Sequence, residues 1–518
     1  MWIDVLIVAS YFVIIMVVGI MARVKKDVGA EEYFLSSRSL RWPSIAISTI
    51  ATNIHANHFI AVAGSAYLYG LAQANLEINA IFGILMAAFI FVPLYLRMKV
   101  MTITQFFEAK LGPRVALMYS VLMIVLYGFM YLGTALFWAA YAIDGIFGSY
   151  LSFIGDSRIT RIIVLILITG SFSAIYTYLG GLRAVVRTDI VQFSLLICGG
   201  FITLAFAIVH LGGVDKLWTV TGDLMHLHLP ADHEKLPWVG IFGMLLLNLN
   251  YWGANQVILQ RALAARSLRD AQIGLIVGGS LKYVIALIII VPGIALAGIL
   301  KDRPLADPDL TYITLLKEYI PVGLRGLILT GLFASLMSTL DSIYNSVSTL
   351  WSIDIYKRHL RPQASEQQVV SMGKTSIFAA LFTGVAFSLV VAFVKFSDPT
   401  FALTHWFNDL SYFVKNGFVL LIVSAVFLYR PSRSLVFYVL ILTVPFTYYL
   451  KSAYPEMNYF LRSTTIIMLA ITAVAVPTFI SNTKEFLNTS LLTISSKNVL
   501  NLGLALAASW IASHIIFH

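Results

Sequence analysis

Only 12% of this 518-residue chain is charged, while 59% is hydrophobic. A soluble globular domain carries about 25% charged residues, so a water-soluble body of this size is excluded. The formal net charge of +10 would suit a nucleic-acid partner only if the basic residues gathered on one surface, and they are spread among short connections instead.

An apolar run of about 18 residues or more marks a candidate bilayer span. Fourteen such runs follow one another, at about 3–22, 42–70, 73–97, 115–147, 159–180, 185–212, 237–258, 270–300, 323–352, 370–394, 399–429, 434–450, 463–481 and 499–517. The first has no lysine or arginine before it and no small-residue cleavage site, so it reads as a retained helix. With the N-terminus outside and the spans alternating, about two-thirds of the 35 Lys and Arg fall on inner segments, as the positive-inside rule requires. Both termini then face outward from a plasma membrane, and the lipid bilayer is the solvent of most of the chain. The connections at about 213–236, 301–322 and 353–369 are the longest, and each is too short for an enzyme domain. Cys198 is the sole cysteine, which excludes a disulfide framework.

Two spans are interrupted by polar residues. The second reads Ser48-Thr49-Ile50-Ala51-Thr52-Asn53-Ile54-His55-Ala56-Asn57-His58, and the seventh reads Asn248-Leu249-Asn250-Tyr251-Trp252-Gly253-Ala254-Asn255-Gln256. They lie five spans apart, and an odd separation inverts the direction of the helix. That is the layout of an inverted repeat, in which discontinuous helices hold the substrate. Unwinding at 48–58 would free carbonyls for a cation and amides for a solute. Ordinary hydrogen bonding between helices is the bland alternative.

Ionisable groups in hydrocarbon are costly and therefore functional candidates. Glu77, Asp189, Lys282 and Asp341 stand out, and Lys415 also falls within a span. Lys282 sits about 18 Å into its helix, near mid-depth, where snorkelling is hard. It reads either as a solute contact or as a structural ion pair with Glu77. The ninth span carries Ser335, Ser338, Thr339, Ser342 and Ser346 on one helical face. Such a stripe suits close packing or a sodium ion, which wants oxygen ligands. His55 and His58 have no zinc-ligand partners, and no nucleophile elbow or phosphate loop is present. Gly180-Gly181 is a turn between spans.

These residues resemble the sodium/solute symporters with a LeuT-like inverted-repeat fold. The likeness runs over about residues 5–430. It rests on Tyr33 to Leu40, on Gly180-Gly181-Leu182-Arg183-Ala184-Val185 with Thr188-Asp189-Ile190-Val191-Gln192, and on Tyr251-Trp252-Gly253-Ala254-Asn255-Gln256 with Gln260-Arg261-Ala262-Leu263 and Ala265-Arg266-Ser267-Leu268. Met337-Ser338-Thr339-Leu340-Asp341-Ser342, Asn345-Ser346 and Asp354-Ile355-Tyr356-Lys357 complete it.

The resemblance implies one all-α transporter domain over 1–518, with a core repeat at about 42–429, an extra helix at 3–22 and C-terminal helices at 434–517. It implies sodium as the coupling ion, held by the carbonyls of Ala51, Ile54 and Ser335 and the hydroxyls of Ser338 and Thr339. Within the family the look is that of the sodium/galactose branch, which places Asn57, His58, Glu77, Asn248, Tyr251, Trp252, Lys282 and Asn408 around the solute. His58, Leu76 and Ala80 depart from that branch, where a glutamine, a tyrosine and a serine are expected.

The resemblance also implies that an aspartate at the place of Asp189 can join hydroxyls of the ninth span, here Ser338 and Ser342, in a second sodium site, and here Asp341 stands beside them. Along their helices Asp189 lies about 9 Å from Arg183 and Asp341 about 20 Å from Asp354, so tilt or an extended helix end must bring them level. The reading is sodium-driven symport of a monosaccharide or polyol. Rivals are an amino acid, sialic acid or carboxylate symporter, and a solute sensor on the same scaffold. An intramembrane enzyme lacks a catalytic set.

The proposed topology is directly testable. Single cysteines placed within 23–41 and 353–369, on a Cys198→Ala background, should resist an impermeant thiol reagent in intact cells. Ready labelling of both would reverse the orientation.

Overall fold

The computed structural model describes residues 2–23, 28–54, 58–148, 151–398, 403–481, 486–488 and 491–518. The expected solute contact Asn57, with His55 and Ala56, lies outside the described residues. Among the described residues the chain is helical nearly throughout and has no strand longer than an isolated bridge. In hydrocarbon every backbone polar group must be satisfied within the protein, which leaves the helix as the natural spanning element of such a sequence.

Among the described residues, eleven helical stretches are long and apolar enough to cross a membrane. Two of them hold more than one span. Arg158–Leu211 has 54 residues, about 81 Å of helix, well over twice a ~30 Å hydrocarbon core. It breaks at Gly181, whose φ of 53° and ψ of −147° no helix contains. A Cβ there would lie 2.4 Å from the Tyr33 carbonyl oxygen, so only glycine fits both the angle and the approach. This is the turn expected at Gly180-Gly181. His58–Arg97 turns in the same way at Gly70, with φ +64°. The seventh span is missing from the eleven because it comes in two pieces, Ile241–Gly253 and Gln256–Leu263. Dividing the two long stretches and adding the seventh span recovers the fourteen expected spans.

The second span is also split. Trp42–Asn53 ends at Ile54, whose φ of −90° and ψ of 111° are extended, and helix resumes at His58. Leu40, just before it, pairs with Ala265, just after the seventh span. The Leu40 amide donates to the Ala264 carbonyl at 3.1 Å, and the Arg266 amide donates to Leu40 at 3.0 Å. The start of one broken helix therefore meets the end of the other at one membrane face, and the two run in opposite directions. Asp270, at the head of the eighth span Leu268–Ile299, accepts from the Trp42 amide at 3.1 Å and satisfies one orphan donor of the second span.

Burial separates the middle from the rim. In the ninth span, Leu324–Leu360, 94% of the most apolar window is buried, against 22% in the first and last spans. The ninth span packs most extensively on Arg158–Leu211 and also touches the second span. The helix carrying the hydroxyl stripe thus stands at the centre, beside the break.

Candidate functional site

The two breaks dispose of their freed carbonyls differently. At the seventh span, Gly253 accepts from the Tyr95 hydroxyl and Ala254 accepts from Tyr119 at 2.5 Å. Asn255 caps the second half, accepting from the Val257 amide at 3.0 Å. Tyrosines therefore seal this break. At the second span, the Ile54 carbonyl accepts from the Ser335 hydroxyl at 2.7 Å. Thr339 donates to the Ser335 carbonyl at 3.0 Å, and Ser338 donates to Asp189 at 2.5 Å. The break thus meets the hydroxyl face of the ninth span. The buried set Ala51, Ile54, Ser335, Ser338 and Thr339 is uncharged and rich in oxygen, the donor chemistry a hard monovalent cation requires.

Next to this break lies a cavity of about 180 Å³. The expected solute residues His58, Glu77, Asn248, Tyr251, Trp252, Lys282 and Asn408 all line it, as do Leu76 and Ala80 at the departing positions. Glu77 and Lys282 pair at 2.5 Å, and both are almost fully buried. The second Glu77 oxygen meets His58 at 3.0 Å, so His58 occupies a polar role at its departing position. Lys282 also donates to Asn53, whose amide donates to the Tyr251 hydroxyl at 2.8 Å. One connected network therefore joins the third, eighth, second and seventh spans around the cavity. The Asn250 side-chain oxygen and the Trp252 indole nitrogen are buried in its lining without a hydrogen-bond partner among the described residues. Asn53 and Asn250 are additional lining residues, and their place within the two polar interruptions was the available signal.

A second cluster lies deeper along the ninth span. Asp189 accepts from Ser48 and from Ser338. Asp341 accepts from Tyr176 at 2.8 Å and Thr188 at 3.4 Å. The ninth helix continues to Leu360, and Asp354 is itself buried, accepting from Thr102 at 2.7 Å. The helix end thus lies beyond Asp354, which brings Ser338 level with Asp189.

The residue missed from the sequence is Arg261. It is fully buried, 3.7 Å from Asp189, and donates to Ser48 at 3.0 Å and to Ser342. Ser342 also bonds Thr52 at 2.9 Å. From sequence, Arg261 reads as one more inner-loop basic residue. It lies on the short second half of the seventh span, every residue of which is buried.

Residues 33–441 match the sodium:solute symporter family, and the chain belongs to that family. It is 32% identical over 410 residues to a sodium/glucose cotransporter of Vibrio parahaemolyticus, covering 73% of each chain. It is 30% identical over 424 residues to sodium/myo-inositol cotransporter 2 of Mus musculus, covering 75% of this chain and 61% of that one. Sodium/glucose cotransporter 1 of Oryctolagus cuniculus is 31% identical over 428 residues, covering 75% and 62%. The chain thus spans about three-fifths of these two mammalian relatives. A sodium-coupled sialic acid symporter, solved in an outward-open state, superposes with a TM-score of 0.79 at 19% identity, covering 94% of this chain and 99% of that one. The fold is the LeuT-like inverted repeat, and the protein is a multi-pass sodium-coupled solute symporter rather than an enzyme.

Arg261 is the only guanidinium seen beside two buried carboxylates among the described residues, so its loss should be severe. Arg261→Met should destabilise the protein by about 3–5 kcal/mol, read as a lowered thermal midpoint in detergent. Adding Asp189→Asn should recover part of that loss. A double variant no more stable than the single one would dismiss the pairing.

Proposed function

We propose that the protein carries a monosaccharide or related polyol inward with sodium across the plasma membrane, by alternating access, with both termini outside. One transmembrane domain does this, its repeat lying at about 42–429. The observation that carries the solute reading is the Glu77–Lys282–Asn53–Tyr251 network lining the cavity. Sugar hydroxyls donate and accept, and here Glu77 accepts, Lys282 donates and Asn248 does both. Tyr251 and Trp252 offer flat faces to a ring, while His58, Asn408 and Asn57 complete the set. The names of the cotransporters this chain is similar to, glucose and myo-inositol, favour the same class.

Sodium is assigned to the carbonyls of Ala51, Ile54 and Ser335 and the hydroxyls of Ser338 and Thr339. Bound there, it would draw the broken second span onto the ninth and order the cavity wall that Asn53 and His58 supply. Solute and sodium then stabilise one arrangement together, and such coupling is reciprocal.

Proteoliposomes with an inward sodium gradient should accumulate labelled glucose, galactose or myo-inositol. Deoxy analogues should compete at least about tenfold worse, because they leave a buried polar group unpaired. Ser338→Ala and Thr339→Ala should each raise the sodium concentration for half-maximal uptake. Uptake driven by an amino acid or non-sugar carboxylate, with no sugar competing, would overturn the sugar assignment.

A second cation is favoured by charge. Asp189 and Asp341 bring two negative charges to a buried place, and Arg261 brings one positive charge. One Asp341 oxygen has no hydrogen-bond partner among the described residues. We assign the remaining charge to a second sodium or a proton, held among Asp189, Asp341, Ser338 and Ser342. Reversal potentials under imposed sodium and pH gradients should then show more than one cation per solute, and Asp341→Ser should lower that ratio. One sodium per solute, no proton coupling and no change in the variant would leave Asp341 a structural partner.

A further inference from the structure

One charged group of the cavity is unused by the reading above. The eleventh span, Leu403–Val426, carries Lys415 twelve residues from its start. That is about 18 Å along the helix, mid-depth in a ~30 Å core. Lys415 is only 7% exposed, and it lines the same cavity as Glu77 and Lys282. Its Nζ donates to the Tyr131 hydroxyl at 2.6 Å and stands 5.1 Å and 5.0 Å from the Tyr131 and Tyr412 rings. No carboxylate pairs with it among the described residues. The acid on its own helix, Asp409, is held by Lys451 at 2.6 Å and by Arg462. The acid of the cavity, Glu77, has one oxygen on Lys282 and the other on His58.

The cavity therefore holds two ammonium groups and one carboxylate, with His58 aside. A buried ion left unpaired is strongly disfavoured. Contact with aromatic faces offsets about 2 kcal/mol of that. An ammonium has three donor hydrogens, and the Tyr131 hydroxyl takes one. A charge kept at mid-depth on these terms is a functional candidate by default.

We propose that Lys415 receives a carboxylate of the transported solute, so that the preferred substrate is a sugar acid: a polyhydroxylated ring or chain bearing one carboxylate. The hydroxyl half of this assignment rests on the sugar reading above. Glu77, Lys282 and the asparagines face the hydroxyls, while Lys415, with Tyr131 and Tyr412 beside it, faces the anionic end. A charge-assisted hydrogen bond of this kind corresponds to about tenfold or more in affinity.

The test uses the full-length wild-type protein in proteoliposomes with labelled glucose or galactose as reporter. Glucuronate or galacturonate should inhibit sodium-driven uptake at concentrations about tenfold below the parent aldose. The positive charge moved per solute should be one less for the uronate than for the aldose. In Lys415→Met the uronate-to-aldose preference should fall about tenfold, whereas Lys415→Arg should retain it. If Lys415→Met fails to fold, the wild-type competition and charge measurements decide alone. An aldose that competes better than its uronate in the wild type overturns the proposal and leaves the sugar reading standing. Inhibition by neither compound defeats the sugar reading itself. Aldose uptake that needs chloride, and loses that need in Lys415→Met, would give the lysine to a free anion and likewise overturn the proposal.

Discussion

A helix that breaks inside a membrane exposes carbonyls and amides that lipid cannot satisfy, and the rest of this structure is arranged around that debt. Each unsatisfied group in hydrocarbon costs several kcal/mol, so a break persists only where neighbours supply partners. In the seventh span the partners are the tyrosine hydroxyls of Tyr95 and Tyr119. In the second span the partner is Ser335, on the ninth span, the most buried of the long apolar stretches among the described residues. The first arrangement closes a break with fixed side chains. The second leaves an uncharged oxygen cluster joined to Asp189 through Ser338, and a cation can enter such a cluster without carrying in a counter-charge. The centrality of the ninth span follows, because its hydroxyl face must reach the break.

The same scarcity of water governs the charges. Glu77, Asp189 and Asp341 are among the carboxylates buried between the helices. Glu77 is held by Lys282 and His58 from two other spans. Asp189 draws hydroxyls from the second and ninth spans and a guanidinium from the seventh. Arg261 thus links the two broken helices to each other through Ser48, and ties them to the ninth span through Ser342. Any motion that separates the second and seventh spans from the ninth must break these bonds in a poorly solvated place.

Much of the architecture was legible because it rests on one-dimensional properties. Apolar runs set the fourteen spans, since length against bilayer thickness needs no partner. The two breaks fall within the polar interruptions at 48–58 and 248–256, where the side chains that could bond between helices also allow the backbone to unwind. The stripe from Ser335 to Ser346 fell on one face by helical period alone, and the structure turns that face to the second, sixth and seventh spans. Lys282 and Glu77 stood out as ionisable groups, and their pairing was open only because sequence does not give distance.

Arg261, Lys415 and Asn250 show where that legibility ends. Arg261 sits in a basic, loop-like stretch of sequence, and only the packing of the buried half-helix Gln256–Leu263 carries it into the interior. Lys415 was visible as a charge within a span, yet only the assembled cavity shows that every nearby acid already has another partner. Asn250 became a lining residue through the direction its half-helix faces. Composition and periodicity, which act along the chain, determined that this protein spans a membrane, where its helices break and which residues are polar there. Tertiary structure alone decided which charge meets which, because charge pairing depends on distances between helices far apart in sequence, and those are set by packing.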